Sequence, residues 1–263
     1  MKKQPLGQNF LFDPSILGRM IQTARLLPGD TVVEIGPGHG RLTAMLAEQV
    51  KRVIAIELDA TLYENLRERL SACDNIEVVH GDALRFPFST LGAFKVVANI
   101  PYYITTPIIF RLFETGTRLS SITVTVQKEV AQRIVAGPGG KDYGVLSLMV
   151  QYYGKPKLAF MVPKGAFRPV PKVDSAVVHI EIYEKHPVAV KDDKFFFRVI
   201  KTAFSQRRKM LLNGLRSVSS DIREKLIRAG IDPARRPETL SMKEFATLTG
   251  ELLNEHRDYS KHG

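Results

Sequence analysis

Cysteine is almost absent. The 263 residues hold one, Cys73, which excludes an intramolecular disulfide framework and any cluster of thiolate metal ligands, and suits a reducing compartment. Long apolar runs are missing too. The basic start Met1-Lys2-Lys3-Gln4-Pro5 leads into a stretch that Asn9 and Asp13 interrupt, so neither a signal core nor a membrane span fits and the expected setting is the cytoplasm. Internal repeats and low-complexity segments are also lacking, which leaves an ordinary globular chain rather than a solenoid or fibre. Acidic residues are few: 27 Asp and Glu stand against 38 Lys and Arg, a formal net charge of +11. An excess of this sign points to a polyanionic partner, nucleic acid first, with a membrane surface or mere solubility left open until motifs decide.

Apolar residues make up 44% of the chain, enough for a sizeable core in one large domain or in a main domain with a smaller one. Asp13 and Pro14 read as the cap and first position of a helix with Ile16, Leu17, Met20 and Ile21 on its apolar face. Strands are expected at 31–35, 53–57 and 76–79, with helices at 41–50 and 60–71 between them. Further strands at 95–98 and 122–126 flank a helix over 107–114, and two late strands cover 158–162 and 176–182. Strand and helix in alternation predict an α/β fold with a parallel, doubly wound sheet. Beyond His186-Pro187 only helices are expected, near 195–204, 207–215, 220–229 and 242–254. The domain reading is therefore 1–186 for the sheet domain and 187–263 for a small all-helical C-terminal domain, with Gly137-Pro138-Gly139-Gly140 as a mobile loop.

The segment Val32-Val33-Glu34-Ile35-Gly36-Pro37-Gly38-His39-Gly40 passes from a buried strand into a helix, and its alternate glycines let backbone approach a nucleotide-like ligand. The dinucleotide fingerprint requires its third glycine at position 41, where this chain has Arg41, so a nicotinamide cofactor is disfavoured. A plain tight turn is the competing reading. Glu57 ends the second strand, where a carboxylate can accept from both ribose hydroxyls; Asp82 follows the third, placed for an adenine amino group. Singly, each could be an exposed strand-end acid or a turn residue. Together the three signals describe an adenosine pocket.

Asn99-Ile100-Pro101-Tyr102 follows the fourth strand and combines an amide acceptor, a backbone bend and an aromatic face in one turn. The lone pair of an adenine amino group is delocalised into the ring, so a catalyst gains by holding the amine hydrogens with aligned acceptors. The Asn99 side-chain oxygen and the Ile100 carbonyl are suited to that, with Tyr102 stacked on the base. No strong general base is needed. An Asn-capped loop with a core tyrosine would read the same way.

In these motifs the chain resembles the KsgA-type ribosomal RNA adenine dimethyltransferases, relatives of the erythromycin-resistance methylases. The likeness spans nearly the whole chain: Gly7-Gln8-Asn9-Phe10-Leu11, the loop from Glu34 to Gly40, Asn99 to Tyr102, Gln127-Lys128-Glu129-Val130, Phe167-Arg168-Pro169-Val170-Pro171-Lys172-Val173-Asp174-Ser175 and Ala203-Phe204-Ser205-Gln206-Arg207-Arg208-Lys209. Ile100 replaces a frequent leucine, a change that leaves the backbone carbonyl in place. The resemblance implies a Rossmann-like methyltransferase sheet and S-adenosylmethionine as cofactor. It places Asn9, Leu11, Gly36, Glu57, Asp82 and Asn99 around that cofactor, with Gly38 and Gly40 shaping the loop beneath it. It also sets Phe167 opposite Tyr102 as the second face of a sandwich around an unstacked base. The implied substrate is a pair of adjacent adenosines in the 3′-terminal hairpin of small-subunit rRNA, in an immature subunit. Apart from the resemblance, the working expectation is a monomer without a metal.

Between Arg198 and Arg216 lie six basic residues, Arg198, Lys201, Arg207, Arg208, Lys209 and Arg216, with Phe204 among them and no acid. This is the candidate phosphate-contacting surface, to which Arg235-Arg236 could add; a solvated helix face is the alternative. An assembly factor in which binding outweighs methylation, and a methylase of large-subunit rRNA, stay open as alternatives.

Overall fold

In the computed structural model, which describes residues 9–206 and 209–253, Asp13 caps the first helix as expected, its carboxylate accepting the Ser15 amide at 2.9 Å. That helix, α1 (Pro14–Ala24), buries Ile16, Leu17, Met20 and Ala24. Two compact units follow from the packing: Met1–Ala131 with Lys155–Glu184, and Gln132–Gly154 with Lys185–Gly263.

The first unit carries β1 (Phe10–Leu11), α1, β2 (Thr31–Ile35), α2 (Arg41–Ala47), β3 (Arg52–Glu57), α3 (Ala60–Arg69), β4 (Ile76–His80), β5 (Phe94–Asn99), α4 (Thr105–Phe113) and β6 (Leu119–Gln127). The chain enters α5 (Lys128–Val135), leaves the unit within it, and returns for β7 (Gly154–Val162), β8 (Phe167–Arg168) and β9 (Ser175–Ile182). Seven strands form one sheet in the order β4-β3-β2-β5-β6-β9-β7. From β4 to β6 the pairing is parallel: α2, α3 and α4 cross over between β2 and β3, β3 and β4, and β5 and β6, while β4 reaches β5 through a loop with one tight turn, Phe88–Thr90. Here the all-parallel expectation needs correcting: β9 runs antiparallel to β6, with Thr125 opposite Val177. The regular succession of strands along the sheet stops at β6, and the chain reaches β9 only after passing through β7 and β8. Strand order reverses between β2 and β5. This switch point opens a crevice at the carboxyl ends of those two strands, and the glycine loop and Asn99 both sit there.

The second unit contains α6 (Val145–Tyr153), α7 (Asp193–Ser205), α8 (Leu211–Gly214), α9 (Ile222–Arg228) and α10 (Met242–Leu253). The expected boundary at 186 lies close to the crossing at 184, but residues 132–154, expected in the sheet domain, belong with the helices. The reason is apolar: α6 reads Val-Leu-Ser-Leu-Met-Val-Gln-Tyr-Tyr, and its Leu148 and Tyr152 are buried among Phe196, Phe197 and Ile200 of α7. The Tyr152 hydroxyl donates to Asp193 at 2.8 Å, so this ring enters the core with its polar end satisfied. Of the helix expected over 207–215, residues 207 and 208 lie outside the described residues, and among the rest only α8 is helical. Gly139, in the loop expected to be mobile, donates its amide to the Glu238 carbonyl at 2.7 Å. No helix among the described residues is long and apolar enough to cross a membrane, and no three metal-ligating side chains there are grouped to hold an ion.

Candidate active site

Gly36, Gly38 and Gly40 all have positive φ, at 69°, 55° and 66°, a region open to glycine at little cost. The space a side chain would need is occupied by the protein itself. A Cβ at Gly36 would stand 3.3 Å from the Pro101 ring, one at Gly38 2.6 Å from Phe10, and one at Gly40 2.2 Å from Leu66. The missing side chains at these positions make room for Phe10 of β1, Leu66 of α3 and the Pro101 ring after β5, and Gly36 also lines the crevice.

Glu57 is buried at the end of β3, where its two oxygens accept the Gly38 amide at 3.1 Å and the Asp59 amide at 3.0 Å. The carboxylate thus fixes the glycine loop while keeping lone pairs for further donors. Asp82, after β4, accepts the Leu84 amide at 2.9 Å. Glu57, Asp82 and Gly36 share the wall of a cavity of about 190 Å³, together with Ile35, Pro101 and Tyr103. Acceptors on an otherwise apolar wall suit a flat heterocycle with a sugar attached.

Asn99 is the last residue of β5, and its side-chain NH₂ donates to the Asn9 carbonyl at 2.9 Å. A carbonyl can only accept, so this contact sets which way round the amide lies. The other end, Oδ1, is buried and has no hydrogen-bond partner among the described residues. A buried acceptor left unmade costs on the order of 1–3 kcal/mol, which marks Oδ1 as waiting for a donor. Asn99, Leu11, Gly36 and Glu34 border a second, smaller cavity of about 40 Å³, so Gly36 separates the two. Ile100 is buried. Pro101 starts a tight turn, Tyr102–Ile104, in which the Tyr102 hydroxyl shares a 2.6 Å hydrogen bond with that of Ser175. Burial pushes the Tyr102 phenol above its ordinary value.

Phe167 is not where the resemblance puts it. It is fully buried, paired with Leu11 across the β1–β8 ribbon and packed in the core with Val162 and Val177. As placed here the ring has no surface free for an incoming base. In the helical unit, Arg198 and Lys201 lie exposed on α7, with the Arg198 guanidinium 4.7 Å from the Phe195 ring centre; Lys209 and Arg216 are also exposed. Arg207 and Arg208 lie outside the described residues. Phe204 faces inward against Phe245. Arg235 is held by Thr239 and Glu244 and serves the fold rather than a surface.

Two residues at the crevice escape sequence reasoning. Tyr103 lines the larger cavity beside Glu57 and Asp82, and the second tyrosine of the turn motif is the signal that could have found it. Glu34 lies near the end of β2, just before the glycines, where the sequence alone gives it no role. Burial pushes its carboxyl up to about 8, with the Glu57 charge adding to the rise and the Thr43 hydroxyl opposing it.

A family model described as ribosomal RNA adenine dimethylase matches residues 1–253. A protein of Moorella thermoacetica named ribosomal RNA small subunit methyltransferase A is 48% identical over 261 residues, covering 94% of this chain and 91% of that one. A dimethyladenosine transferase from Plasmodium falciparum has a similar solved structure, with a TM-score of 0.78 and 26% identity over 95% of this chain and 98% of that one. The 23S rRNA methyltransferase ErmE gives 0.72 and 28%, covering 93% and 99%.

Proposed function

The chain belongs to the ribosomal RNA adenine dimethylase family and is a methyltransferase, and from that premise we propose that it methylates the exocyclic amino groups of two adjacent adenosines in the 3′-terminal hairpin of small-subunit rRNA, with S-adenosylmethionine as donor. The observation that carries this reading is the orphaned Asn99 Oδ1 at the switch point of the sheet.

The residues suit such a donor. Glu57 and Asp82 offer acceptors to a ribose and an adenine, the apolar wall with Tyr103 covers the ring, and Leu11, Gly36 and Asn99 border the smaller cavity, with Asn9 holding Asn99, Gly38 tied to Glu57 and Gly40 completing the loop. S-adenosylmethionine supplies a methyl group on a positively charged sulfur. The protein's own part is to hold the amine. Asn99 Oδ1 and the Ile100 carbonyl take its hydrogens, which favours a pyramidal nitrogen with an available lone pair. Tyr102, anchored through Ser175, offers a ring face to the base. Once methylated, the nitrogen is acidic enough to lose its proton to water, so no side-chain base is required. Arg198, Lys201, Arg207, Arg208, Lys209 and Arg216 supply phosphate contacts that set affinity without reading sequence.

The test is transfer of labelled methyl groups to undermethylated small subunits, mature small subunits and large-subunit rRNA in parallel. Label in the first alone is expected. Label in large-subunit rRNA instead would replace the proposed substrate with one like that of ErmE.

A further inference from the structure

At the opposite end of the same sheet lies a recess of about 360 Å³ bordered by Arg19, Gln22, Thr23, Arg25, Lys157 and His179. Its place is fixed by Lys95, near the start of β5, which donates to the Arg25 carbonyl at 2.9 Å; Asn99 ends that same strand. Nothing in the methylation chemistry uses these residues.

Three features mark the recess as built for an anion. First, its cations are uncompensated. Arg19, Arg25 and Lys157 are exposed and make no ion pair among the described residues. Of the acids near it, Asp30 is taken by Lys95 at 2.7 Å and Glu181 is left facing His179. Second, the cations are positioned. The Arg19 guanidinium lies 3.8 Å over the Phe160 ring, which fixes its plane and leaves its edge for a bidentate acceptor. Beside them His179 is held by the Thr123 hydroxyl at 2.8 Å; burial, with Arg25, Lys95 and Lys157 nearby, holds its imidazole below the ordinary value, so it lines the recess as a neutral hydrogen-bonding group. Third, Arg25 closes α1 with φ 49°, where among the described residues every other positive φ belongs to glycine. Glycine is the unstrained choice at a left-handed helix end, so an arginine there keeps its side chain at a conformational cost.

We infer that this recess is a second phosphate site, which takes backbone phosphodiesters of the RNA substrate on Arg19, Arg25 and Lys157. The inference rests on the reading of the chain as an RNA methyltransferase. An extended backbone is favoured over a free anion because the cations are exposed and come from separate elements, α1 with its end and β7, across a space larger than one phosphate. A site for a single small anion instead wraps it in converging backbone amides.

The experiment measures binding of the full chain to undermethylated small subunits over a range of salt, for the wild type and for the double variant Arg25→Gly, Lys157→Gln. Glycine accepts the Arg25 backbone conformation, so the fold is kept, as a thermal melt checks. The expected result is affinity reduced roughly tenfold, with the slope of log affinity against log salt shallower by about 0.7–0.9 for each phosphate that is no longer neutralised. Wild-type affinity and slope in a folded double variant would overturn the inference. So would saturation of the His179 imidazole signal by inorganic phosphate when the slope for RNA is unchanged, which would assign the recess to a free anion. Failure of the methylation reading shows elsewhere, in a wild-type protein that transfers no label.

Discussion

Replacing Asn99 with alanine is expected to lower the turnover of methyl transfer by roughly 10²–10³-fold, the effect of removing one preorganised group that meets the reacting atoms. The side chain does two jobs at once. Its NH₂ is committed to the Asn9 carbonyl, and that anchor aims the unpartnered Oδ1. Asn99→Asp should fail almost as badly, because a carboxylate cannot donate to Asn9 and would set two acceptors against each other. The loss belongs in kcat rather than in RNA affinity, since phosphate contacts lie elsewhere. Single-turnover rates alongside subunit binding separate the two. A variant that turns over normally would contradict the proposed role of Oδ1.

Glu34 governs the second large effect, on stability rather than rate. Its carboxyl is pushed up to about 8 in the fold by burial, against 4.5 for the free group. Between those values the native state keeps a proton that the unfolded chain has released. Stability therefore falls as pH rises from 4.5 toward 8, by on the order of 5 kcal/mol across the window, and the loss is complete above it. Glu34→Gln keeps the shape and removes the titration. Its melting temperature is expected to exceed that of the wild type by about 10 °C near pH 8 and to converge with it toward pH 4.5. Parallel melting curves over this range would mean that the buried carboxyl does not titrate this way.

Local patterns give good access to the sheet and to one side of the site. The strand at 31–35, the Asp13 cap with Pro14, and the acid closing β3 stand where the alternation places them, because each depends on neighbours within a few residues. What local pattern misses are the long-range partners. The β1–β8 ribbon joins Leu11 to Phe167 across most of the first unit, and it turns Phe167 inward. α6 is apolar nearly all round, so it shows no helical period to read, and its burial in the helical core is what moves 132–154 into the second unit. The glycines of the loop are legible as positions that need freedom. That Phe10, Leu66 and Pro101 supply the crowding is not. The same holds for Asn99: its motif points to an acceptor, and only the hydrogen bond to Asn9, 90 residues earlier in the chain, shows which end of the amide is left over.

The central claim is that this acceptor holds the exocyclic amine of adenine, and the nucleoside it produces tests that most directly. Undermethylated small-subunit rRNA treated with the protein and S-adenosylmethionine, then digested to nucleosides and read by mass spectrometry, should yield adenosine carrying both methyl groups on its exocyclic nitrogen. Methylation of a ring nitrogen, of a carbon or of a ribose hydroxyl would contradict the account.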